Sequence, residues 1–118
     1  MENYVKMLRA PGAEWIQLRW KKLPGDRFLC RGGIYIRNYG YLQDPCLNHD
    51  CLYLPSIEDY MGMVEGNLHE QRAKFFLWSI QTAPSMEYIY QFKTWPELML
   101  AFVQHEIKSL SWDGEGWR

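Results

Sequence analysis

The sequence predicts one α+β domain, a small antiparallel sheet built from two β-hairpins and packed by two α-helices. Three observations carry that reading. Two pairs of strand-like stretches are each separated by turn residues, two further stretches repeat apolar residues with the period of a helix, and each helical stretch opens on a capping signature. The 118 residues suffice for one core and not two, and 47% apolar with 23% charged residues is the make-up of an ordinary globular chain. The expected boundaries are a domain over 1–110 and a flexible C-terminal tail over 111–118.

The first strand is expected over Glu14–Lys22, where Ile16, Leu18 and Trp20 alternate with Gln17, Arg19 and Lys21. Leu23-Pro24-Gly25-Asp26 reverses the chain, because Pro presets φ at the first corner and Gly accepts a positive φ at the next. Arg27–Arg37 is rich in Phe, Ile and Tyr and reads as the partner strand, with Gly32-Gly33 as a bulge or bend. The segment from Asn38 to Pro55 has no sustained period and reads as a long connection, with one short strand at Cys51–Leu54.

Ser56 and Asp59 stand three residues apart, the spacing of a capping box, and Ile57, Tyr60, Met61 and Val64 follow at helical intervals. Gly66-Asn67 should end this helix after about three turns. Ala73–Gln81 and Met86–Lys93 are dense in β-formers on either side of Thr82-Ala83-Pro84-Ser85, which predicts a second hairpin with Tyr88, Tyr90 and Phe92 on one face. Thr94 and Glu97 repeat the capping logic ahead of a helical stripe of Leu98, Met99, Phe102, Val103, Ile107 and Leu110. Ser111–Arg118 is Gly-rich and acidic, too short on its face to bury both Trp112 and Trp117.

A formal net charge of -1 provides no global field that would draw in nucleic acid or an anionic membrane. No run approaches the length of a membrane span, and charges interrupt the N-terminal segment, so neither signal peptide nor transmembrane helix is expected. Three cysteines cannot all pair, which points to a reducing cytoplasm.

Zinc would want thiolates and imidazoles, and Cys46, His49 and Cys51 lie close together. Their C-x4-C spacing has no second knuckle, however, so they are weak candidates and no metal or other cofactor is expected. The same residues offer no motif that forces a thiol against a base, and no phosphate-cradling loop is present. The chain is therefore expected not to be an enzyme.

Two patterns point to binding. Aromatic residues make up 16% of the chain, and Tyr39, Tyr41, Tyr53, Tyr88, Tyr90, Trp112 and Trp117 fall in loops, the second hairpin or the tail, where rings serve as interface anchors. The expected function is a small inhibitor that occludes a protein partner such as an enzyme or toxin, in the manner of an immunity protein or of an anti-defence protein of a phage or mobile element. The alternative is a nucleic-acid-binding module on the hairpin over 19–37, where Arg19, Lys21, Lys22, Arg27, Arg31 and Arg37 are interleaved with rings, or, ranked below it, a zinc- or cysteine-dependent enzyme using Cys46, His49 and Cys51.

Overall fold

The computed structural model describes residues 2–19, 26–30, 33–36, 51–81 and 86–118. It is an α+β arrangement whose described elements are α1 (Glu2–Arg9), α2 (Glu14–Leu18), β1 (Arg27–Cys30), β2 (Gly33–Ile36), β3 (Leu52–Leu54), α3 (Ile57–Met63), α4 (Leu68–Gln81), α5 (Met86–Tyr90) and α6 (Trp95–Lys108). The strands form one antiparallel sheet in the order β2-β1-β3.

The helix over 94–110 forms as expected and is the hub of the fold. Thr94 caps α6 by accepting the Glu97 amide on its hydroxyl, Pro96 sits in the first turn, and Ser109 closes the far end in the left-handed region. Residues 99–104 of α6 are buried on every side, so the amphipathic stripe widens into a fully enclosed middle. Helices α1 and α3 pack directly on it. Phe102 meets Phe75 edge-on at 5.1 Å and Trp78 at 5.5 Å, which seats α4 as well.

Two buried polar side chains on α6 are used as fasteners. Gln104 donates to the Gly12 carbonyl at 2.9 Å and accepts from the Trp15 indole at 2.9 Å, so both ends of its amide are satisfied. The Glu97 carboxyl accepts from Asn3 on one oxygen and from the Thr94 hydroxyl on the other, tying the start of α1 to the start of α6.

Several expected elements take another form. Glu14–Leu18 is a helix, not a strand. On a helix Ile16 and Leu18 point in nearly opposite directions, and Ile16 is buried while Leu18 is exposed. Gln17 then closes the outer edge of the sheet, accepting the Tyr53 amide at 2.7 Å and donating to the Tyr53 carbonyl at 3.1 Å. The expected partner strand over 27–37 is itself a hairpin: β1 and β2 pair with Arg27 opposite Ile36 and Cys30 opposite Gly33. The short strand near Cys51–Leu54 is present as β3 and pairs with β1, Leu29 opposite Leu52. The turn over 23–25 and the connection over 38–50 lie outside the described residues.

The Ser56–Asp59 capping box is present in full, and α3 stops after seven residues, shorter than expected. The second hairpin is not formed: Ala73–Gln81 belongs to α4 and Met86–Tyr90 is α5. A further capping box explains α4. Asn67 accepts the Glu70 amide on its side chain at 3.0 Å, and Glu70 accepts the Asn67 amide at 3.1 Å. Gly66, at φ +107°, makes the left-handed step that leads into it.

The segment over 111–118 is a miniature hairpin and not a loose tail. Trp112 and Trp117 form an antiparallel bridge, flanked by paired backbone bonds between Ser111 and Arg118. Asp113 holds the turn by accepting the amides of Glu115 and Gly116 on one carboxyl oxygen and Arg118 on the other, which brings its pKa down to about 2. Both tryptophans are buried, Trp112 to 2% exposure and Trp117 to 8%, because they pack against each other and into the core instead of lying on an open strip.

Candidate docking surface

The 14-residue α4 carries apolar side chains on two opposite faces. Its inner face presents Gln71, Phe75 and Trp78, at spacings of four and three, and it is the Phe75 and Trp78 rings that meet Phe102. The outer face carries His69, Ala73, Phe76, Leu77 and Ile80, with the four-three-four spacing of a helix-packing seam through 69, 73, 76 and 80. Phe76 is 63% exposed, Leu77 55% and Ile80 52%. At 1.5 Å per residue the seam runs for about 17 Å.

The Trp95 ring extends the apolar surface. It is 60% exposed and lies 6.5 Å from Phe75, at the point where α6 begins beside α4. A notch of about 360 Å³ opens at the other end of the seam, lined by His69, Arg72, Ala73 and Phe76. Scattered apolar residues on a surface are ordinary, but Phe76, Leu77 and Ile80 are gathered within five residues on one helix face.

The aromatic residues singled out in the sequence fare differently. Trp112 and Trp117 are core residues, so they are not available as anchors in this fold. Tyr53 is buried on β3, and burial followed by the nearby Asp59 pushes its hydroxyl pKa well above the ordinary value. Tyr88 is half-buried, accepts the Trp112 amide on its hydroxyl, and meets Phe92 edge-on at 5.2 Å. Tyr90 is exposed, and Tyr39 and Tyr41 lie outside the described residues.

Two residues of the basic cluster lie among the described residues, and they sit on separate elements. Arg19 ends α2, 5.6 Å over the Trp15 ring, while Arg27 opens β1; Lys21, Lys22, Arg31 and Arg37 lie outside the described residues.

Cys51 is bonded to Cys30, with Cα atoms 4.6 Å apart, one step beyond the Leu29 and Leu52 pair in the sheet register. A disulfide-bonded Cys51 cannot serve as the thiolate ligand or nucleophile considered from the sequence. Cys46 and His49 lie outside the described residues. Among the described residues no group of three or more His, Cys, Asp or Glu could hold a metal ion, and no helix is long and apolar enough to cross a membrane.

Phe76, Leu77, Ile80 and Trp95 were not singled out in the sequence. The signal for the first three was available in the Asn67–Glu70 capping box, which places 68–81 on a helix and turns a run of β-formers into a two-faced one. No protein-family model, no curated protein and no solved structure matches this chain.

Proposed function

We propose that this chain is a non-enzymatic protein-binding module that works by occluding its partner, with the outer face of α4 as the docking surface. The observation that carries the reading is the stripe of Phe76, Leu77 and Ile80, each more than half exposed on a helix whose other face is already packed. Large apolar side chains lining a rigid helix suit a groove or helix on a partner, and Trp95 adds the kind of ring that anchors such contacts. An inhibitor, an immunity protein or an anti-defence protein would each use a surface of this kind, and the partner would be the enzyme or toxin it covers.

The odd cysteine count supports a cytoplasmic setting, whereas a bond such as Cys30–Cys51 is characteristic of oxidising compartments.

The test compares the tagged wild-type chain with Phe76→Asp and Leu77→Asp in capture experiments on its source lysate, with and without nuclease. Both positions are exposed, so stability should move by no more than about 0.5 kcal/mol. A stoichiometric protein retained by the wild type and lost by both variants is the expected result. Retention by both variants refutes the α4 surface, and loss with nuclease alone transfers the reading to nucleic acid.

A further inference from the structure

The seam on α4 differs between its two ends. Around Phe76, Leu77 and Ile80 it is apolar, whereas the notch at its N-terminal end is lined by His69 and Arg72 beside Ala73 and Phe76. The neighbouring charges on the helix are already engaged. Lys74 donates to the Glu65 carbonyl at 3.0 Å, and the Glu70 carboxyl accepts the Asn67 amide in the helix cap. His69 and Arg72 are exposed and make no hydrogen bond or ion pair with any described residue. The Arg72 guanidinium is a planar fork of donors suited to a carboxylate.

We infer that the partner of this surface presents an acidic amphipathic helix, laying its own three-four stripe of apolar residues along 69, 73, 76 and 80 and placing a carboxylate against Arg72 and His69. This rests on the reading of α4 as the docking surface and specifies its occupant. Two features select a helix over an extended strand. The seam has the spacing into which the side chains of a second helix interdigitate, and α4 is a helix and so offers no free sheet edge for a strand to join. A carboxylate is selected by charge, since an acid on the partner completes Arg72 whereas a base is repelled by it. A second copy of this chain fits less well: a two-fold axis near Ala73 would bring the two Arg72 side chains onto the same side of the pair.

The test uses two synthetic helix-forming peptides with leucines at the same three-four spacing, one flanked by glutamates and the other by lysines, titrated by fluorescence anisotropy against the full chain. The glutamate peptide should bind at least about tenfold tighter at low salt, with the preference shrinking at high salt. Arg72→Glu combined with His69→Glu should invert it. Equal affinity of the two peptides, or binding of neither, overturns the inference. Phe76→Asp separates the two levels: if it leaves the glutamate peptide bound as tightly as before, the α4 surface itself is refuted, whereas loss of both peptides with no acidic preference refutes only the charge assignment.

Discussion

Trp117 donates its indole N–H to the backbone carbonyl of Met7 at 3.0 Å, across 110 positions of sequence. The carbonyl lies in the last turn of α1, where the helix has no partner of its own to offer it, so the indole acts as a C-terminal cap supplied by the far end of the chain. Trp117→Phe keeps a buried ring but strands that carbonyl, and should cost about 1–3 kcal/mol in urea unfolding. Trp117→Ala should cost about 3–5 kcal/mol. An unchanged midpoint for Trp117→Ala would refute the packing of the 111–118 hairpin.

The Cys30–Cys51 bond closes 21 positions of chain and joins neighbouring strands. Closing a loop of that length restricts the unfolded chain, and its reduction should lower stability by about 3 kcal/mol. Three cysteines less the two in the bond leave one, so the denatured, unreduced protein should titrate a single thiol, rising to three after reduction. A count of three before reduction removes the bond from the fold.

Asp113 sets an acid limit on the same hairpin. Its carboxyl is held at about 2 by the amides of Glu115 and Gly116 and by Arg118, against 3.8 when free. The folded value lies below the unfolded one, so the ionised group favours folding above about pH 3.8, and this contribution is lost as the pH falls toward 2. Asp113→Asn should therefore be less stable than the wild type at pH 6, with the gap narrowing between pH 4 and pH 2. Thermal melts of the two proteins across that range provide the check, and a gap independent of pH would show that the carboxylate charge is irrelevant to the turn.

Sequence and structure agree where a local signal is reinforced by packing. The caps at Ser56 and Thr94 are legible because side-chain geometry at a helix start is decided within four residues, and the helices that follow are where the spacing puts them. The Asn67–Glu70 box has the same form, but the Gly66-Asn67 pair also reads as a stop, and a glycine at a left-handed step serves an ending and a beginning equally. Phe75, Phe76, Trp78 and Ile80 favour strands by local preference. They sit on a helix that the Asn67–Glu70 box opens and that the contacts of Phe75 and Trp78, three apart, with Phe102 hold in place, the second a tertiary fact no local window contains. The Cys30–Cys51 pair was hidden for a similar reason, since an odd count says nothing of which two residues the sheet register brings together.

The proposed docking surface was half legible. Aromatic richness directs attention to rings, but composition cannot say which ones the core takes. The core takes Trp112 and Trp117 and leaves Trp95 and Phe76 outside. Asp113-Gly114-Glu115-Gly116, read as a loose acidic tail, is a turn that folds two tryptophans onto each other.

Two apolar faces on one helix also have a colloidal consequence. With its inner face seated on Phe102, α4 still offers the solvent a row of large side chains, and the formal net charge of -1 gives the molecules almost no mutual repulsion. The isolated chain is thus poorly protected against sticking to itself as it is concentrated, and covering α4 would relieve it of that burden. A binding partner would act on this protein as a solubilising agent as much as a target.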